Sequence, residues 1–118
     1  MRLEARKLLY DIQQATRKLR DFTDGKSFAD YQEDDLLRSA VERQFEIAGE
    51  AVRQLAKLDP ALAEQLSEYQ RIIAFRNILS HAYAQVDDRL VWDVLETRVD
   101  VLHDQVSVLL SNDNASAD

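Results

Sequence analysis

Apolar residues recur at intervals of three and four along the first part of the chain, the spacing that lines them up on one face of an α-helix. This first predicted helix runs from Leu3 to Phe22, and Gly25 just beyond it is suited to end it. Its apolar positions are Leu8, Leu9, Ile12, Ala15, Leu19 and Phe22. The polar stretch 26–35 follows, and either of its last two aspartates can cap a second helix.

The second amphipathic pattern ends at Asp59-Pro60, because proline disfavours helix in the residue before it and suits the first turn of the next helix. Residues 61–67 are predicted to form a short helix or turn. The segment from Tyr69 to Ala82 then reads apolar on nearly every side, a pattern typical of a helix that is buried all round. This third long helix is therefore predicted to lie at the centre of the fold.

A last amphipathic helix is predicted after a break at residues 86–88, and residues 111–118 are expected to form a polar, disordered tail. Two glycines and one proline in 118 residues supply too few turns for a β-fold. The pattern predicts an all-α, antiparallel bundle of four to five helices in a single domain over residues 1–110. It also predicts a homodimer, since a bundle this small leaves apolar surface of its third helix for a partner chain.

Composition and charge narrow the classes of function. The chain has no cysteine, which excludes disulfides, thiolate metal sites and cysteine catalysis. A net charge of −7 argues against a protein that coats nucleic acid. Residues 1–26, however, hold seven basic and four acidic residues and are the best candidate for binding an RNA backbone. The N-terminal segment lacks an apolar signal run, and no apolar run is long enough to span a membrane, so we expect a cytoplasmic protein without a membrane partner.

Side chains that can do chemistry are concentrated at the end of the third predicted helix, where Arg76, Asn77, His81 and Tyr83 stand among apolar residues. At about 100° per residue, Arg76 and Tyr83 lie within about 20° of each other, and Asn77 and His81 lie about 40° apart. Arg76 falls on an apolar stripe, and burying an unpaired guanidinium is costly. It therefore needs an acidic partner or a function.

These groups suit cleavage of RNA without a metal ion. The imidazole of His81 can take a proton from a 2′-hydroxyl or give one to the leaving 5′-oxygen, and the guanidinium of Arg76 can bind the charged phosphoryl oxygens. Asn77 can fix the imidazole tautomer or hold a phosphate oxygen. A purely structural arrangement, with Arg76 paired to Glu46 or Glu50, explains the same residues, so chemistry alone leaves both interpretations open.

The third helix resembles the R-x-x-x-x-H-x-Y signature of the HEPN superfamily, and in particular of its HepT-like toxins. Arg76, His81 and Tyr83 match that signature, with Asn77 in the customary position after the arginine. Residues 45–51 resemble the family's E-I-x-G-E-A segment, and residues 86–92 resemble its I-D-x-x-x-x-W stretch. The signature and its two flanks together make the resemblance specific.

The resemblance implies a homodimer in which two Arg/His pairs form one composite endoribonuclease site across the interface, with Arg76 and His81 catalytic and Asn77 in support. It also implies the toxin of a type VII-like toxin–antitoxin module. The implied antitoxin is a minimal nucleotidyltransferase of the MntA type, which silences the toxin by adding AMP to Tyr83. RNA is the expected substrate, and no DNA substrate, cofactor or metal ion is expected.

Two other classes of function stay open from the sequence: a non-catalytic helical adaptor that docks a nucleotidyltransferase, and a plain dimeric structural bundle.

Glu46 and Glu50 are a carboxylate pair without the further partners that a metal ion needs. Gly49 is expected to permit close approach of the third helix. Trp92 is expected to be a core or interface aromatic, and His103 a solvated surface group.

Overall fold

A computed structural model of the protein describes residues 1–81 and 86–117. The helices of these residues, in chain order, are α1 (Leu3–Thr23), α2 (Phe28–Glu33), α3 (Asp35–Leu58), α4 (Pro60–Ala63), α5 (Tyr69–Ser80) and α6 (Asp88–Ala117). α1 packs against α3 and α6, whereas α5 packs chiefly against α3. The described residues contain no strand, so the predicted all-α bundle is confirmed. None of the helices within 1–81 and 86–117 combines the length and the apolar character needed to cross a membrane.

The helix ends follow local capping chemistry. Gly25, with a left-handed φ of 71°, follows the end of α1 as the sequence predicted. Asp34 caps α3 by accepting a hydrogen bond from the backbone N–H of Leu37 at 3.0 Å. At the other end of α3, Asp59 caps the next short helix, whose first residue is Pro60.

The stretch 26–35 was predicted only as a polar connection, and most of it forms α2. The reason is a capping box: the side chain of Ser27 accepts from the backbone N–H of Asp30 at 3.1 Å, and the carboxylate of Asp30 accepts from the backbone N–H of Ser27 at 2.9 Å. Tyr31 on this helix is fully buried and lies 5.5 Å from the ring of Trp92. Trp92 is therefore a core aromatic, which is one of the two roles expected from the sequence.

The core forms two neighbouring clusters along the bundle. One joins the first half of α1, the second half of α3 and the second half of α6, through residues such as Leu9, Leu55 and Val106. The other contains Phe45 of α3 and Phe75 of α5, whose rings meet edge to face with centroids 5.0 Å apart. This aromatic pair fixes which face of α5 meets α3.

The N-terminal end of α5 is held to α6. Glu68, just before α5, adopts a left-handed conformation with φ 54°, which an L side chain adopts at a cost. Its carboxylate pairs with Arg71 at 3.2 Å and with Arg98 of α6. Beside it, Gln105 of α6 accepts from the backbone N–H of Ser67 at 2.9 Å and donates to its hydroxyl at 2.7 Å. These contacts anchor the helix that carries the candidate site.

The prediction that the third long helix is buried all round is wrong for the single chain. Only Phe75 and Leu79 of α5 are buried, and Ile78 is 52% exposed. The reason is that α5 lies on α3 with one face, while a groove of about 370 Å³ with mostly apolar walls opens between α5 and α6. The apolar surface that the sequence assigned to the core is therefore at the surface of the protomer.

The last helix extends beyond its predicted end. α6 continues to Ala117, so residues 111–117 are helical where a disordered tail was expected. No glycine or proline follows Leu110 to stop the helix. Asp113 also ties this end to the start of α1, since it accepts from Arg6 at 3.4 Å and lies 3.6 Å from the N-terminal ammonium.

Candidate active site

The candidate site begins where α5 crosses α3 at Gly49. A Cβ atom on Gly49 would lie 2.3 Å from the Cβ and 2.8 Å from the Cγ of Arg76. Only a residue without a side chain fits at this crossing, because ordinary carbon contacts are about 3.5–4.0 Å. The expectation that Gly49 permits close approach of the third long helix is confirmed. The stem of Arg76 lies directly on the backbone of α3.

Arg76 is held at its guanidinium by two neighbours. Its Nη2 lies 3.0 Å from Oε2 of Glu50, and its Nη1 donates to Oδ1 of Asn77 at 3.1 Å. Its Nε is buried and has no hydrogen-bond partner among the described residues. Of the two glutamates that the sequence offered as partners, Glu50 is the one used, since Glu46 pairs with Arg43 at 3.8 Å.

Glu50 is itself the centre of a small polar network on α3. It accepts two hydrogen bonds from Arg53, at 2.9 and 3.0 Å, and one from Gln54 at 3.2 Å. The hydrogen bonds from Arg53 are the largest cause that lowers the pKa of Glu50 to about 2. One carboxylate is thus shared by two guanidinium groups, and the three side chains carry a net charge of +1.

His81 follows the last residue of α5, with its backbone N–H donating to the carbonyl of Asn77 at 3.1 Å. Its side chain is exposed, so the imidazole is open to solvent and to a ligand. Asn77 therefore contacts both candidate residues, receiving Arg76 at its side-chain oxygen and His81 at its backbone oxygen. Tyr83, the fourth predicted site residue, lies outside the described residues.

A groove of about 320 Å³ opens beside the guanidinium of Arg76, between α1 and α3. Lys7 and Arg43 line it together with the acidic side chains of Glu46 and Glu50. Lys7 comes from the basic first helix, and its ammonium pairs at 3.2 Å with Asp11, which also lines the groove. Counting Arg76, three basic and three acidic residues line this groove, so its local charge is close to balanced.

The remaining candidates have structural environments. His103 was expected at the solvated surface, and that expectation is wrong: the side chain is half-buried, and its Nδ1 lies 2.9 Å from Oγ1 of the buried Thr16. The hydroxyl of Thr16 also lies 2.9 Å from the backbone carbonyl oxygen of Ile12, so His103 adds a contact from α6 to a hydroxyl that already has a partner on α1. Within 1–81 and 86–117, no group of three His, Asp or Glu side chains is arranged to hold a metal ion.

The sequence did not identify Arg53 and Gln54 as parts of the site. Their spacing from Glu50, at three and four residues, is the signal that was available, because such neighbours meet on the surface of a helix. The spacing alone does not single them out, since many charged pairs of this chain share it. Arg53 and Gln54 belong to the site because their partner Glu50 also contacts Arg76 on another helix.

Comparisons with known proteins identify the family of the chain. The family model described as "Ribonuclease HepT-like" matches residues 12–109, a span that contains Gly49, Arg76 and His81. A protein of Methanocaldococcus jannaschii named "Putative RNase" is 27% identical over 81% of this chain and 78% of its own length. A "Putative RNase" of Caldanaerobacter subterraneus subsp. tengcongensis is 33% identical over 75% of this chain and 79% of its own length. A second one of M. jannaschii is 26% identical over 90% of this chain and 96% of its own length. No solved structure matches the chain.

Proposed function

Because this chain belongs to the HepT-like ribonuclease family, we propose that it is a metal-independent endoribonuclease in which Arg76 and His81 are the catalytic pair. The observation that carries the proposal is the link through Asn77. Its side chain holds the guanidinium of Arg76 at 3.1 Å, and its backbone carbonyl holds the turn at His81 at 3.1 Å. A guanidinium that can bind phosphate and a solvent-exposed imidazole are therefore carried five residues apart by the same end of one helix.

The proposed reaction is attack of the RNA 2′-hydroxyl oxygen on its own 3′-phosphate. The neutral imidazole of His81 takes the proton of that hydroxyl, the new P–O bond forms, and the bond to the 5′-oxygen breaks. A second, protonated imidazole, the partner subunit's His81, gives a proton to the leaving oxygen. The products are a 2′,3′-cyclic phosphate and a 5′-hydroxyl, and Arg76 stabilises the charge on the non-bridging oxygens in between.

The composite site requires a homodimer, and the exposed apolar side chains support one. Ile78 of α5 and Leu90 of α6 border the 370 Å³ groove and are 52% and 38% exposed. Val101 and Val108 continue the stripe along α6 at a spacing of seven residues and are 41% and 56% exposed. Exposed apolar side chains that share one stripe of a helix are typical of a protein interface. We propose that two copies meet through this α5–α6 face.

The proposed regulation follows the family resemblance. In a toxin–antitoxin pair, a cognate minimal nucleotidyltransferase transfers AMP from ATP to the hydroxyl of Tyr83 and releases pyrophosphate. The adduct adds a phosphate seven residues along the chain from Arg76, where it competes with the RNA phosphate for the guanidinium. Incubation with the enzyme and ATP is expected to add one AMP mass to the Tyr83 peptide and to stop cleavage. The Tyr83→Phe variant should keep its unmodified mass and its activity, and a mass increase on another residue contradicts this assignment.

The nuclease itself is tested by incubating the purified protein with end-labelled RNA in EDTA. Cleavage is expected in EDTA, and His81→Ala should lower its rate about 10²–10⁴-fold, the usual effect of removing a general acid or base. His103→Ala is the matched control, because that imidazole bonds Thr16 instead. Binding of a nucleotidyltransferase without any RNA cleavage supports the adaptor function in its place.

A further inference from the structure

We propose that Glu50 is a positioning residue of this site: its carboxylate, shared with Arg53, fixes the guanidinium of Arg76 so that its terminal edge faces the scissile phosphate. The inference rests on the proposed ribonuclease function and adds to it a residue on a different helix. Glu50 has no contact with the reacting atoms in this scheme. It acts through Arg76.

The guanidinium of Arg76 is fixed from three directions. Gly49 lies under its stem, Glu50 holds Nη2 at 3.0 Å, and Asn77 holds Nη1 at 3.1 Å. The Nε is buried and without a hydrogen-bond partner in the described part of the chain, so a phosphate cannot reach that edge. The two Nη atoms carry four N–H groups. One of them donates to Asn77, and Glu50 forms an ion pair with Nη2, so the terminal Nη edge is the part of the guanidinium that remains for a phosphate.

Arg53 prevents Glu50 from cancelling the charge of Arg76. Both carboxylate oxygens of Glu50 accept from Arg53, at 2.9 and 3.0 Å, while only Oε2 contacts Arg76. The pKa of Glu50 is lowered to about 2, so the carboxylate stays ionised throughout the neutral range. The cluster keeps one net positive charge, which is available to the substrate.

Orientation, rather than stability, is the main consequence of the Glu50–Arg76 contact. The side chains of Glu50 and Arg76 are 29% and 26% exposed, and partly exposed ion pairs contribute little to folding stability. A fixed guanidinium contributes to a reaction because a displacement of about 1 Å in a catalytic group can lower its rate about 10²-fold. Removing the clamp should therefore change kcat more than it changes unfolding.

The experiment compares Glu50→Gln with Glu46→Gln, a control one helical turn away whose carboxylate pairs with Arg43. Glu50→Gln is expected to lower kcat about 10–10²-fold with KM within about twofold, because the amide keeps the shape and loses the charge. Glu50→Asp should recover part of kcat, and Glu46→Gln should match the wild type. In an Arg76→Lys background, Glu50→Gln should change kcat less than about twofold, since the group it positions is gone.

A readout that needs no cleavage is the ¹⁵N spectrum of the arginine side chains. Restricted rotation of the Arg76 Nη groups is expected in the wild type and in Glu46→Gln, and its loss in Glu50→Gln. Loss of that signal without any RNA cleavage by the wild type supports the clamp and overturns the nuclease proposal. Cleavage by Glu50→Gln at the wild-type kcat, an unchanged Arg76 signal, or an equal loss of kcat in the Arg76→Lys background overturns the role of Glu50. Thermal unfolding of Glu50→Gln and Glu46→Gln identifies any loss of folding. If Glu50→Gln does not fold, the kcat of Glu50→Asp decides the role of Glu50.

Discussion

Gly49→Ala tests whether the crossing of α3 and α5 positions the candidate site. The added Cβ would lie 2.3 Å from the Cβ of Arg76, and 3.5 Å from the carbonyl oxygen of Ile72. Both carbons at the closest contact are attached to backbone, so no side-chain rotation relieves it. A normal carbon contact of about 3.5–4.0 Å requires α5 to move away from α3 by about 1 Å or more.

Two contributions to the free energy of unfolding oppose each other in this variant. Alanine favours helix by about 1 kcal/mol over glycine, whereas overpacking a tight contact costs about 1–3 kcal/mol. The net loss of stability is therefore expected to be small, at most about 2 kcal/mol. The same movement lengthens the 3.0 Å contact between Arg76 and Glu50 beyond hydrogen-bonding distance. Cleavage should fall about 10²-fold, because the guanidinium is displaced by about 1 Å.

The assay measures kcat for RNA cleavage and the free energy of unfolding in urea for the same preparations. Gly25→Ala is the matched control, because Gly25 has a left-handed φ of 71° and nothing within 4 Å of an added Cβ. That control should lose about 1–2 kcal/mol of stability from backbone strain and keep full activity. Wild-type kcat in Gly49→Ala, or an equal loss of kcat in both glycine variants, refutes the reasoning.

Three further outcomes are expected. Light scattering should give about twice 13.6 kDa for the wild type and the mass of a monomer for Ile78→Glu. The control Leu36→Glu changes an exposed apolar residue on α3 and should stay dimeric, whereas a monomeric wild type contradicts the proposed interface. Burial first, and then the nearby charge of Asp88, raises the pKa of Glu42 above its ordinary value of 4.5, so its ionised form opposes folding. Glu42→Gln should be more stable than the wild type at pH 7, and the difference in stability should shrink as the pH falls through the raised pKa and vanish only below pH 4.5. The pKa of Glu50 is lowered from 4.5 to about 2, so its contribution to stability is present above pH 4.5 and is lost as the pH falls towards 2. The free energies of unfolding of the wild type and Glu50→Gln, measured in urea at several pH values, should converge over that range, and a constant difference between them contradicts the lowered pKa.

The sequence predicted the helices well and one surface poorly. Spacing of apolar residues located α1, α3, α5 and α6, and the capping role of Asp34 and the place of Pro60 at the start of α4 follow from local chemistry. The burial of α5 was misjudged because periodicity shows how apolar a helix is, and not whether its own chain or a second one covers it. Ile78 is 52% exposed because a groove separates α5 from α6 at this position, and the sequence does not show that separation.

The sequence also predicted only part of the candidate site. The residue types and spacing along the third predicted helix identified Arg76, Asn77 and His81. The need to pair a guanidinium pointed to a glutamate such as Glu46 or Glu50. The choice of Glu50 over Glu46 depends on how far α5 slides along α3, which the packing at Gly49 determines. The hydrogen bond that His103 makes with Thr16 is a contact between distant parts of the chain, and no local pattern predicts it.

Cleavage of an RNA in which the nucleotide at a mapped cut carries hydrogen in place of its 2′-hydroxyl tests the proposed chemistry most directly. The 2′-oxygen is the nucleophile in the mechanism assigned to Arg76 and His81, so cleavage at that position is expected to stop in EDTA while neighbouring cuts continue. The all-RNA control should yield a 2′,3′-cyclic phosphate and a 5′-hydroxyl by mass spectrometry. Continued cleavage at the 2′-deoxy position, or a 5′-phosphate on the product, contradicts the proposed reaction.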